Sequence, residues 1–156
     1  PKEYKLVNNA DEEMEALNHF KAAETAIIDK RFAQYLEEYQ SLPDSTAIIQ
    51  LKEYAPNRLV YHSITNTDRL AVFSEIYYPY GWQAYVDDKP QPHFRANYVL
   101  RAMIVPAGEH EIIFKFEPKS YYLGEKISLA GSLLLLIMLI GMIGAEIKKK
   151  FIIKRG

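Results

Sequence analysis

The sequence predicts a mainly β protein, an antiparallel β-sandwich with short N-terminal helices, followed by one C-terminal transmembrane helix. Three observations lead there. From Thr46 to Glu117 apolar residues recur with a period of two, broken by Pro, Gly, Asn and Asp turns, the signature of short antiparallel strands. Before that, apolar residues fall at helical spacing. After it, Ile127–Ala145, "ISLAGSLLLLIMLIGMIGA", runs nineteen residues without a charge. At 1.5 Å per residue that is about 28 Å of helix, close to a bilayer's hydrocarbon thickness.

In chain order, "EYKLV" reads as an edge strand. "NNADEEMEALNHF" carries a capping-box pattern, with Asn9 as N-cap and Glu12 three residues on. Ala10, Met14 and Leu17 then share one helical face. "ETAIID" is short and apolar enough for a strand. Phe32, Tyr35, Leu36 and Tyr39 share a face of a second short helix, which "SLPDS" breaks. Ile49/Leu51, Val60/Ile64 and Leu70/Val72/Ile76 mark three strands, and Trp82/Ala84/Val86 a fourth after the "PYG" turn. "DDKPQP" reads as a turn, and "HFRANYVLRAMIV" as one or two strands. In the last strand His110, Ile112, Phe114 and Phe116 alternate with Glu111, Ile113, Lys115 and Glu117. The organisation expected is a mixed α/β segment over 1–45 packing on an extracytoplasmic β-domain over 46–122. A transmembrane helix over 127–147 and a basic cytoplasmic tail over 148–156 follow.

Charge orients the chain. Residues 1–126 hold 14 Lys and Arg against 19 Asp and Glu, whereas residues 146–156 hold 5 against 1. The positive-inside rule places the "KKKFIIKRG" end in the cytoplasm and residues 1–122 outside. An acidic outer domain is a poor match for phosphate backbones, so nucleic acid is excluded as a partner. Tyr121 and Tyr122, just before the span, suit the interfacial aromatic belt. An exported domain needs an export signal. The opening "PKEYKLV" has none, so the sequence reads as a processed chain or as the C-terminal piece of a longer membrane protein. The span holds two small-xxx-small pairs, Ser128/Ser132 and Gly141/Ala145, on different faces. That favours packing against several neighbouring helices over a single dimer seam.

Little in the sequence points to chemistry. With no cysteine, thiolate and disulfide chemistry are absent. His19, His62, His93 and His110 are scattered without metal-ligand spacing, and no phosphate-loop, dinucleotide or nucleophile-elbow motif occurs. No metal site and no cofactor are expected. Asp87 and Asp88 are adjacent, which suits a hairpin turn and not a facing carboxylate pair.

Two groups remain as candidate ligand contacts. "YYPYGW", residues 77–82, holds four aromatics, and pyranose C–H groups pack on such rings. Trp82 and Tyr78 share strand faces with apolar residues and are expected inside. Tyr77 and Tyr80, flanking Pro79, are the surface candidates. Arg95, Asn97 and Arg101 form either a polar patch meeting phosphate or sugar hydroxyls, or structural partners of Glu75 or Asp87 across strands.

One long segment, "FSEIYYPYGWQAYVDDKPQPHFRANYVLRAMIVPAGEHEIIFKFEPKSYYLGEKISLAGSLLLL", resembles the C-terminal end of bacterial YfhO-type membrane proteins, and "VNNADEEMEALNHF" resembles the stretch that precedes it. The elements that carry the likeness are the Tyr-Tyr-Pro…Gly-Trp turn, the Tyr-Val-Asp hairpin, "RANYVLRA" and "VPAGEHEI" with its following strand. The hairpin departs from the family's Asp-Gly-Lys, reading Asp87-Asp88-Lys89. The resemblance implies a large multi-spanning protein of the bacterial inner membrane, similar to lipid-phosphosugar-dependent, GT-C-like glycosyltransferases and linked to glycosylation of cell-envelope polymers. In such enzymes the acidic catalytic residue sits in an early extracytoplasmic loop, so no catalytic residue carries over to this chain. The expected part is a non-catalytic extracytoplasmic domain plus the last transmembrane helix. It would orient an acceptor through Tyr77, Tyr80, Arg95 and Arg101, with membrane lipid, neighbouring transmembrane helices and envelope glycan as partners. The alternative is a membrane-anchored structural or interaction β-module that never touches carbohydrate.

Overall fold

A computed structural model describes residues 1–40, 42 and 45–153, with backbone alone at 119 and 145–153. The expected break over 41–45 falls largely outside the described residues, as do the side chains of the basic tail 148–156. The chain divides into two compact units, Pro1–Glu117 and Pro118–Gly156.

The first unit is mainly β. Its elements are β1 (Glu3–Val7), α1 (Ala10–Leu17), β2 (Thr25–Asp29), a 3-10 helix (Lys30–Leu36), β3 (Ile48–Ala55), β4 (Arg58–Thr65), β5 (Arg69–Ile76), β6 (Trp82–Val86), β7 (Lys89–Gln91), β8 (Phe94–Ala96), β9 (Leu100–Val105) and β10 (Gly108–Phe116). One antiparallel sheet has the order β3-β4-β10-β6-β7 and a second the order β5-β9-β8. β1 and β2 form a separate parallel pair. The second short helix expected over 32–39 is this 3-10 helix, and β7 occupies residues read from sequence as a turn.

The strand period explains the layering. In β5 and β9 both faces are apolar, so the smaller sheet is covered on both sides. Ala71, Phe73, Met103 and Val105 point to a core shared with Leu59, Ala84, Val86, Ile112 and Phe114 of the larger sheet. Leu70, Ala102, Phe94 and Ala96 point the other way, onto Ala26, Ile28, Leu36 and Tyr39 of the N-terminal segment. Two antiparallel sheets thus share one core, compatible with the sandwich read from the alternation, and the first 40 residues cover the outer face of the second sheet.

Two expectations are corrected. The Ala10/Met14/Leu17 face is only partly covered: Met14 is half exposed, Ala10 and Leu17 are partly buried, and the residue α1 buries completely is Glu13. Apolar spacing cannot reveal a face organised around a charge. Tyr78 was expected inside and is 49 % exposed. Tyr78 lies past the end of β5, beyond the irregularity in its pairing with β9 between Phe73 and Ile76, and Ile76 of the same parity is exposed with it.

Capping follows the sequence with one displacement. Asn9 Oδ1 accepts the Glu12 N–H at 2.9 Å, while the Glu12 carboxylate reaches the Asn8 N–H at 3.0 Å, one residue earlier than in a standard capping box. The β6–β7 loop is the two residues Asp87 and Asp88, both with positive φ (48° and 62°), the geometry of a type I′ turn. Glycine adopts such angles without a Cβ penalty, so Asp88→Gly is expected to raise stability by about 0.5–1 kcal/mol, read as a higher denaturant midpoint at unchanged slope.

The second unit is α2 (Lys119–Ile153). Its stretch Ser120–Gly144, 25 residues of mean hydropathy 2.4, is long and apolar enough to cross a membrane. Within it the Ser132 hydroxyl donates to the Ser128 carbonyl at 2.9 Å, so that hydroxyl is satisfied inside its own helix.

Candidate functional site

The "RANY" turn between β8 and β9 gathers polar side chains from three parts of the chain. Asn97 and Tyr98 both have positive φ (49° and 69°), which reverses the chain and aims its polar groups at the N-terminal segment. Asn97 meets both backbone groups of Ile27: its N–H donates to the Ile27 carbonyl at 2.7 Å, and its Oδ1 accepts the Ile27 N–H at 2.8 Å. A single asparagine thereby acts as a short additional strand beside β2. Glu13, 0 % exposed, accepts from the Tyr98 N–H at 2.7 Å and from Arg95 Nη2 at 2.6 Å. Arg95 Nη2 also lies 3.8 Å from Asp29 Oδ2, and its guanidinium rests over the Tyr98 ring. Asp29 receives Nε and Nη2 of Arg31 at 3.1 and 2.9 Å. Those side-chain hydrogen bonds, against the opposing effect of burial, hold the Asp29 carboxyl below its ordinary range.

A second polar group lies inside. Arg101 is 1 % exposed, its guanidinium 4.6 Å from the Trp82 ring and 4.4 Å from the Phe114 ring, with Nη2 donating to the Ile76 carbonyl at 3.2 Å. Beside it, burial and then the Arg101 charge push His93 down to about 4. The unfolded chain binds a proton at His93 from about pH 6.5 downward and the folded chain does not. Stability is therefore expected to fall between pH 6.5 and about 4. His93→Gln should flatten that limb of a thermal-stability profile against pH.

The Asp87–Asp88 turn is tied to β10. Asp87 Oδ2 lies 2.6 Å from His110 Nδ1, and Oδ1 accepts the Glu111 N–H at 3.0 Å. The Asp87 hydrogen bond raises the His110 pKa, and the His110 hydrogen bond lowers that of Asp87. The His110 contribution is full below pH 6.5 and is lost as pH rises through its raised pKa. The Asp87 contribution is full above about 3.8 and is lost as pH falls. The stability gap between wild type and His110→Ala should therefore narrow on the alkaline side, which paired melting curves at several pH values will show.

Of the four residues singled out as ligand contacts, Tyr80 alone stands well exposed, at 78 %. Its ring meets that of Tyr78 edge-on with centroids 5.7 Å apart. Tyr77 is half-buried against Phe32 and His93, at 5.8 and 5.5 Å, and burial raises its hydroxyl pKa. Arg95 and Arg101 belong to the two internal groups just described, so the structure does not gather the four into one surface. Sequence reasoning missed Glu13, Asp29 and the exposure of Tyr78. Among the described residues no group of three or more His, Asp or Glu is placed to hold a metal ion. An open groove of about 640 Å³ beside α1 carries mixed charge, with Lys5, Glu12, His19, Lys21 and Glu24 on its walls.

The family model of the bacterial membrane protein YfhO matches residues 19–128, which takes in β2 to β10, the Arg101 group, the first polar group except Glu13, and the start of α2. The chain belongs to the YfhO family. No curated protein and no solved structure gives a significant match. As a YfhO-family domain with an apolar 25-residue stretch in α2, it is a membrane protein.

Proposed function

We propose that this YfhO domain is the non-catalytic, extracytoplasmic interaction module of an inner-membrane glycosyltransferase acting on cell-envelope polymers, with α2 as its last transmembrane helix. The observation that carries the reading is the internal commitment of its polar side chains. Glu13, Asp29, Arg95 and Arg101 have the charge a reaction site would use. Glu13 and Asp29 are paired with arginines. Arg101 lies buried against Trp82 and Phe114 with Nη2 on the Ile76 carbonyl, its Nε and Nη1 without a hydrogen-bond partner among the described residues. Orientation rests on the charge asymmetry across the apolar run, with the basic end in the cytoplasm. The glycosyltransferase role rests on the family resemblance of the sequence. The module's contacts would be with neighbouring transmembrane helices and with lipid.

A second reading, that the module orients a glycan acceptor, is favoured by one observation: the exposed Tyr78–Tyr80 ring pair, a surface on which a pyranose can stack. Glycan-array binding by the full chain in detergent micelles separates the two. The first reading expects no binding. A glycan captured by the wild type and lost in Tyr80→Ala, at equal melting temperature, would overturn it and establish the second.

A further inference from the structure

The two ends of the β unit differ in chemistry. β10 runs from Gly108 to Phe116, and the registers fix which turns lie at each of its ends. At the Gly108 end lie the turns over 66–68, 87–88 and 106–109. They carry Asp68, Asp87, Asp88 and Glu109 and no aromatic residue. At the Phe116 end lie the β3–β4 turn, the 77–81 loop and the 97–99 turn. Here the exposed large apolar side chains are Tyr54, Ile76, Tyr78, Tyr80, Val99 and Phe116, beside the exposed Glu53 and Asn57. Neighbouring contacts join most of them into one rim. Tyr78 meets Tyr80, a Cβ at Gly81 would overlap the Phe116 ring, and the Tyr77 N–H donates to the Val99 carbonyl at 2.8 Å. Exposed aliphatic side chains occur elsewhere in this unit, Ile48 and Ile64 near the Gly108 end among them. Its exposed aromatic side chains among the described residues, Tyr54, Tyr78, Tyr80 and Phe116, all lie at the Phe116 end, and such a contiguous apolar rim marks an interaction surface.

The covalent chain says which surface. Phe116 closes β10, and the apolar stretch begins at Ser120. The three residues from Glu117 to Ser120 reach about 10 Å when fully extended. The Phe116 end of the sheet is therefore tied to the apolar stretch by no more than that length of chain, while the acidic turns lie at the other end of β10. Tyrosine, with an apolar body and a polar tip, is the side chain that membrane interfaces select.

We propose that the Phe116 end of the β unit docks on the lipid headgroup layer, with Tyr78 and Tyr80 as its deepest side chains and the acidic turns in water. The rim's occupant is the lipid surface itself. This goes beyond the functional reading above and competes only with carbohydrate contact at Tyr80.

The absence of cysteine makes the test clean. Tyr80→Cys and Asp88→Cys, each in the full chain and labelled with an environment-sensitive fluorophore, are reconstituted into vesicles of phosphatidylethanolamine and phosphatidylglycerol. Lipids with a nitroxide near the carbonyl and aqueous iodide on both faces serve as quenchers. The label at 80 should be quenched strongly by the lipid and severalfold less by iodide than the label at 88. Equal iodide quenching at both positions, without lipid quenching, overturns the proposal. So does a label at 80 shielded from iodide but untouched by the lipid, because protein would then cover the rim. Trp82, the single tryptophan, gives a check without mutation, since lipids brominated near the carbonyl should quench its emission. Glycan binding in micelles reads a different quantity, so the two readings fail separately.

Discussion

Glu13→Ala is expected to cost about 3–5 kcal/mol, the penalty for stripping one partner from a buried ion pair. The substitution leaves the Arg95 guanidinium with Asp29 alone at 3.8 Å and removes the acceptor of the Tyr98 N–H. Against a whole-domain stability of about 5–15 kcal/mol, that removes between a fifth and all of the margin. The expected observation is a fall of the denaturant midpoint with loss of near-ultraviolet signal from the tyrosines packed between the N-terminal segment and the second sheet. A control separates charge from packing: Glu13→Leu combined with Arg95→Met should cost much less than Glu13→Ala, because no charge is left buried without a partner. Equal costs would mean that the pair contributes through shape alone.

Asn97→Ala is the other large effect, at about 2–5 kcal/mol. Two causes add. The Ile27 N–H is left buried without its acceptor, worth about 1–3 kcal/mol. An alanine must also hold the positive φ that asparagine tolerates, worth about 1–2 kcal/mol. Asn97→Gly keeps the angle and loses only the acceptor, so it should recover the second part. Hydrogen exchange at the Ile27 amide reports the same event locally, with protection lost in both variants.

The parts of the fold that obey one local rule were legible in the sequence. β10 could be read from alternation, α2 from its uncharged run, and the Asp87–Asp88 turn from the tolerance of aspartate for positive φ. What stayed hidden depends on partners distant in the chain. Glu13 and Arg95 are 82 residues apart, and neither periodicity nor spacing pairs them. Tyr77 and Tyr78 take the opposite of their expected exposures because β5 ends at Ile76, so strand period no longer decides which of them is covered, and Tyr77 packs on Phe32 and His93. The polar residues of "RANY" stood out in the sequence as a possible patch. Only the positive φ of Asn97 and Tyr98 shows that the patch faces inward.

The internal groups also bear on whole-protein activity. If Glu13, Arg95 and Asn97 serve the fold, their substitution in the intact membrane protein should lower its abundance and the proposed glycosyl transfer in proportion, with transfer per folded molecule unchanged. A loss of transfer beyond the loss of protein would assign one of them to the reaction.

The most direct test of the account is the side of the membrane on which the β unit sits. Asp88→Cys in the intact protein, in whole cells, is exposed to a membrane-impermeant maleimide, with the same protein lacking the substitution as blank. The expected result is labelling without permeabilisation, as an extracytoplasmic module requires. Labelling only after the membrane is opened would place the β unit in the cytoplasm and contradict the proposed role beside an extracytoplasmic glycosylation site.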